Sequence, residues 1–169
     1  MIPENEYASY YKQYIKEVEK NEKSLIENLE DSQNVFDAIL RKLPKEKQDF
    51  TYEKGKWTLK ELLQHIIDTE RIFCYRALCF ARNDNTALPG FDQDVFVDNV
   101  DANSRDFYDL LEEMAILRKS TIILYKSFSD EALLRIGVAS GNKMSVRALG
   151  YLFSGHQMHH LNVIKERYF

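Results

Sequence analysis

Apolar residues recur along most of the chain at three- and four-residue steps, the period of a helix face. In the stretch after Thr58, Leu62, Ile66, Thr69, Phe73 and Ala77 share one face. From Ser104 to about Phe128 the repeat runs through Leu110, Leu111, Met114, Leu117 and Leu124, and from Ser145 to the end through Leu149, Phe153, Val163 and Ile164. The N-terminal part holds two such stretches, Tyr7–Glu19 and Ser24–Leu43, the second with Leu25, Leu29, Val35 or Phe36, Ile39 and Leu43. No stretch alternates as a half-buried strand would. Start signals agree with the periodicity: Thr58 with Glu61 three residues on is a capping box, and Ser129-Asp130 caps a short extra helix. The pattern predicts an all-α chain, a four-helix bundle with one or two short accessory helices, folded as a single domain over 1–169.

Chain breakers set the spacing. There are 6 glycines and 3 prolines in 169 residues, which leaves room for long regular elements. Pro44 and Gly55, Pro89 and Gly90, and Gly137 and Gly141 mark three gaps. The segments between them are 1–43, 56–88, 91–136 and 142–169.

Composition narrows the function classes. Lys and Arg total 23 against 27 Asp and Glu, a formal charge of −4, with 44% hydrophobic and 30% charged residues. That is an ordinary globular balance rather than a disordered one. A mildly acidic chain speaks against nucleic acid as a partner. The longest apolar run, Ala77–Ala81, is far too short to span a membrane. The start Met-Ile-Pro-Glu-Asn-Glu lacks the basic and apolar regions of a secretory signal. Cys74 and Cys79 allow at most one disulfide, and five residues apart on one helix they point about 140° from each other. A cytoplasmic protein is expected.

The four histidines carry the candidate chemistry. His65 lies on the apolar side of the second long helix, and His156, His159 and His160 lie within five residues of one another on the last. Residues four apart on a helix differ by about 40° in direction, so His156 and His160 can hold one ion. That pair also continues the stripe Leu149–Phe153–His156–His160–Val163. His159 and His160 diverge by about 100°. An imidazole on a buried stripe needs a partner, because an unpaired buried polar group costs roughly 1–3 kcal/mol. Two readings stand on the residues alone: hydrogen-bonded or solvated histidines, or neutral imidazoles that share a divalent ion.

The stretch Gly55-Lys56-Trp57-Thr58-Leu59-Lys60-Glu61-Leu62-Leu63-Gln64-His65-Ile66-Ile67-Asp68-Thr69-Glu70-Arg71 resembles the second-helix motif of the DinB/YfiT-like superfamily. The loop Leu88–Asp94 and the ending Gly155-His156-Gln157-Met158-His159-His160-Leu161 are similar to one bacterial branch of it. The resemblance spans nearly the whole chain in order and spacing. It implies a bundle in up-down-down-up order with a long crossover, and a divalent metal, Zn²⁺ or Ni²⁺, on His65, His156 and His160. His159 then becomes a supporting or surface residue. It also implies a homodimer acting on a small molecule, either as a thiol S-transferase with a low-molecular-weight thiol as co-substrate or as a hydrolase. A three-histidine ion keeps coordination positions open and can lower the pKa of a bound water to about 7 or take up a thiol as thiolate. Asp68, one turn beyond His65, is the candidate to support a ligand imidazole or act as general base. The alternative is a metal-stabilised helical binding module without catalysis.

Sharper motifs fail. His156-Gln157-Met158-His159-His160 has the frame of a zincin, but Gln157 stands where the catalytic glutamate belongs. Asp92, Asp94 and Asp98 are spaced as in a calcium loop, but Val97 and Asn103 occupy positions that need Gly and Glu. Within Asp92–Glu113 eight acidic residues accompany one Arg105, read as a solvated face. Glu70 and Arg71 either border the site's opening or pair on the surface, the surface being expected, and Trp57 is expected as a hydrophobic staple or core anchor. Phe91, Val95 and Phe96 suggest a lid over the bundle end or a subunit contact. Tyr7, Tyr10, Tyr11 and Tyr14 suggest a packed helix face that could also form the dimer surface.

Overall fold

Side-chain caps decide where the long helices begin. In the computed structural model, which describes residues 1–169, the helices are α1 (Lys12–Glu19), α2 (Leu25–Leu40), α3 (Leu59–Ala81), α4 (Gln93–Asp98), α5 (Phe107–Lys126), α6 (Asp130–Leu134) and α7 (Val146–Arg167). Ser24 with Glu27 and Thr58 with Glu61 both form complete capping boxes. Asp106, Ser129 and Ser145 each accept a backbone N–H in the first turn of α5, α6 and α7.

Three expectations are corrected. The first helix starts at Lys12 rather than Tyr7, behind two short 3₁₀ turns. Tertiary anchoring overrides the local period there: Ile2 and Tyr7 are buried, and Glu6 accepts from Ser145 and Arg147. The third long helix is capped by Asp106, while Ser104 ends a 3₁₀ turn. A hairpin was not expected, yet β1 (Ile136–Ala139) pairs antiparallel with β2 (Asn142–Ser145), Ile136 opposite Ser145. Four-residue strands are too short for alternation to show. The sequence marked only a gap here, at Gly137 and Gly141; the turn is made by Ser140 and Gly141, which both take positive φ, 52° and 73°, as a two-residue hairpin turn requires.

Cross-helix contacts establish the topology. Ser32 meets Ser154 and Gln33 meets Gln157, so α2 and α7 are parallel. Gln64 meets Arg105, and Cys74 meets Thr121, so α3 and α5 are parallel. His65 faces His156 and His160 while Phe73 faces Phe153, so α3 and α7 are antiparallel. Glu30 at the start of α2 pairs with Lys126 at the end of α5. The four long helices therefore run up, down, down and up, and the 82–106 connection is the long crossover. No helix is long and apolar enough to cross a membrane.

The interior has two apolar clusters with a polar layer between them. Phe73, Phe80, Tyr125 and Phe153 belong to one, and Phe36, Leu63, Ile67, Met114 and Leu161 to the other. Between them Arg118, only 1% exposed, donates to both carboxylate oxygens of Glu70 and to Leu29 O, Ser32 Oγ and Gln157 Oε1. Each of the four bundle helices supplies a member. Glu70 is thus a buried partner and not the surface residue expected, while Arg71 does pair at the surface, with Glu113.

Candidate metal centre

The three histidines of the sequence reading converge from α3 and α7. His156 Nε2 lies 3.2 Å from His65 Nε2 and 3.0 Å from His160 Nε2. One ring nitrogen from each falls within 4.8 Å of the other two. The one-turn spacing of His156 and His160 sets their rings edge-on, with centroids 4.5 Å apart. The antiparallel run of α3 brings His65 to the same level, 5.1 Å from each of those rings.

Hydrogen bonding among these rings alone leaves a deficit. A neutral imidazole nitrogen offers either one hydrogen or one lone pair, and His156 Nε2 faces two partners. Burial keeps all three neutral: it lowers the pKa of His65 to about 4 and of His160 to about 3. For His156 burial first, and then the neighbouring histidines, push it well below 6.5. Three neutral imidazole nitrogens gathered within 4.8 Å of one another suit a divalent cation. Nitrogens at the usual Zn–N bond length stand about 3.3 Å apart around a tetrahedral ion, close to the two spacings at His156.

Aromatic side chains wall the cluster. The Trp57 indole lies 4.9 Å from the His65 ring, so the expected core anchor is also a wall of the site. Tyr14 packs edge-on against His156 and His159, at 6.3 and 5.1 Å. Its placement follows from Gly155, where a Cβ would sit 2.5 Å from Tyr14 O, so α1 crosses α7 in backbone contact. Phe73 closes the inner side, 6.3 Å from His156.

A cavity of about 640 Å³ opens against His160. Trp57 and Tyr168 form apolar walls, Val97 of α4 reaches in from the crossover, and Asp94 and Asp98 stand on the same α4 face. The suspected lid loop therefore supplies a wall through buried Val97, while Val95 and Phe96 remain exposed. His159 also lines the cavity. The sequence did not assign Tyr14, Tyr168, Asp94 or Asp98 to the site, since the crossing of α1, the end of α7 and the crossover's return over the bundle end bring them there.

Asp68 does not take the supporting role. Its carboxylate accepts from Gln64 Nε2 at 2.9 Å and sits 3.8 Å from Arg71, in the polar seam between α3 and α5. Burial raises its pKa. Cys74 is bound to Thr121 Oγ1, and burial pushes its thiol up to about 11, so it is no nucleophile. Both cysteines are free.

The family model of the DinB superfamily matches residues 28–164. The chain belongs to the DinB superfamily. Among solved structures, this DinB-superfamily chain is similar to YfiT from Bacillus subtilis, described as a probable metal-dependent hydrolase with an unusual four-helix bundle topology. The TM-score is 0.70 at 16% identity, over 98% of this chain and 90% of that one. A DinB-like protein from Bacillus subtilis, YjoA, matches with a TM-score of 0.58 at 17% identity, over 85% of this chain and 88% of that one. These likenesses show the shared fold. A search of curated proteins finds no significant match.

Proposed function

We propose that His65, His156 and His160 hold one divalent ion, Zn²⁺ or Ni²⁺, and that the centre serves a metal-dependent reaction on a small electrophilic molecule bound in the adjoining cavity. The observation that carries this reading is the convergence of three neutral imidazole nitrogens beside a cavity of about 640 Å³. When bound, such an ion supplies Lewis acidity toward a water or a thiol at its open positions. The chain's own contribution is positional. His156 and His160 are set by one helical turn, and His65 by the opposing helix. Trp57 and Phe73 restrict water around the cluster, and Val97 and Tyr168 shape the space for a substrate.

A hydrolytic reaction has the support of YfiT, described as a probable metal-dependent hydrolase. Thiol S-transfer, with a low-molecular-weight thiol as co-substrate, uses the same open position and is the second arm of the test. A closed structural site would need a fourth protein ligand; of the two candidates, Asp68 is held by Gln64 and His159 is outside the convergent group. That favours the enzyme over a metal-stabilised binding module. The reading also expects a cytoplasmic protein, on the sequence grounds above.

The test is turnover of ester, amide and alkyl-halide electrophiles by Zn²⁺- or Ni²⁺-loaded protein, with and without a low-molecular-weight thiol. Metal-dependent turnover in either arm that chelation and His65→Ala both abolish supports the proposal. Loaded protein inert in both arms overturns the catalytic part.

A further inference from the structure

The cavity beside His160 is walled by the rings of Tyr52, Trp57 and Tyr168. These rings are held in place by one another. The Tyr168 hydroxyl donates to the Trp57 carbonyl oxygen at 2.8 Å, and the Tyr52 ring meets the Tyr168 ring edge-on at 5.2 Å. Aromatic faces carry the negative side of the ring quadrupole and attract cations. Charge in the lining has the same sense: Glu61, Asp94 and Asp98 stand there against Lys56 as the single lysine or arginine.

The fold uses only part of this charge. Glu61 is the capping-box residue of α3, and it accepts from Thr58 N and from Asn103 Nδ2. Lys60, next to it in the chain, is taken by Asp49. Asp94 lies in the first turn of α4, where a carboxylate suits the helix start. Asp98 is the last residue of α4, where the carbonyl end disfavours an anion. One turn apart, the two aspartates share a face of α4, and no ion pair of the chain includes either of them. Both are exposed while His160 is half-buried, so the acids mark the solvent side of the cavity and the histidine its inner end.

We infer that the substrate of this cavity is a small organic cation, with an ammonium group among Asp94, Asp98 and the aromatic rings and its reacting end at His160. This rests on the cavity being the substrate site, as proposed above, although recognition of the cation uses none of the three clustered histidines. A ligand of the same shape without the charge lacks both attractions, and one with a carboxylate in that place meets like charge.

Trp57 is the only tryptophan of the chain, so its fluorescence reports occupancy of the cavity without any turnover. Choline and its uncharged isostere neohexyl alcohol are titrated into the full chain, both Zn²⁺-loaded and chelator-treated, with calorimetry as a second reading of affinity. Choline is expected to bind saturably and tenfold or more tightly than the alcohol in both forms. Asp94→Asn/Asp98→Asn weakens choline by tenfold or more, while Asp109→Asn, on α5 and outside the lining, leaves it unchanged. Unchanged far-UV circular dichroism shows that these exposed substitutions keep the fold. No binding of choline, equal affinity for choline and the alcohol, or a preference that survives the double substitution overturns the inference. Choline binding by protein that turns nothing over keeps this inference while the catalytic reading fails, and turnover by protein without the preference does the reverse.

Discussion

Arg118 Nη1 donates to Gln157 Oε1 at 2.9 Å while its Nε and Nη2 grip both carboxylate oxygens of Glu70. Glu70 follows His65 by five residues on α3, and Gln157 follows His156 by one on α7. A single buried cation thus ties together the two helices that carry the three imidazoles. Arg118→Met leaves the Glu70 carboxylate buried without its counter-charge and is expected to cost about 3–5 kcal/mol in denaturant unfolding. The double variant Arg118→Met/Glu70→Leu removes the stranded charge and is expected to regain most of that loss. A double variant as unstable as the single one would contradict this account of the layer.

The histidines make the metal-free protein acid-sensitive. His65 is neutral in the folded chain down to about pH 4, whereas its unfolded value is 6.5. Between those values the unfolded chain binds the extra proton, so stability is full above pH 6.5 and declines as pH falls toward 4. The slope from His65 is about 1.4 kcal/mol per pH unit. Urea midpoints of chelator-treated protein across this range should therefore fall more steeply for wild type than for His65→Gln. Equal slopes would place the acid sensitivity elsewhere.

Gly155 sets how closely α1 lies on α7. A Cβ there would stand 2.5 Å from the Tyr14 carbonyl oxygen, a backbone atom that cannot swing away. Gly155→Ala should displace α1, cost about 1–3 kcal/mol, and change the near-ultraviolet circular dichroism as Tyr14 leaves the histidines. An unaltered spectrum and stability would show that α1 docks without this contact.

Asp68 gives a contrasting expectation. Its hydrogen bond runs to Gln64 and not to an imidazole. Asp68→Asn should leave bound metal unchanged and alter thermal stability within about 0.5 kcal/mol. Loss of metal in this variant would return Asp68 to the centre.

Much of the fold was legible because it rests on local chemistry. Thr58 with Glu61, Ser129 and Ser145 begin helices in the sequence and in the structure alike. His65, His156 and His160 were legible because each lies on an apolar stripe, and two of them are one turn apart. The rest depends on contacts distant in sequence. Glu70 and Arg71 are adjacent and look alike on paper, yet one faces Arg118 in the interior and the other faces Glu113 at the surface. A helix phase error of one residue exchanges them. Tyr14, Val97 and Tyr168 reach the site only through the crossing of α1, the path of the crossover and the close of α7.

Metal content reports on the ion at the three histidines without an assay of activity. The chain, purified without a metal-affinity tag and incubated with Zn²⁺ or Ni²⁺, should carry about one divalent ion per molecule by mass spectrometry, as one three-histidine site implies. That ion should be lost in His65→Ala, His156→Ala and His160→Ala and kept in His159→Ala. Wild type without bound metal under these conditions, or an ion that survives all three substitutions, would contradict the account.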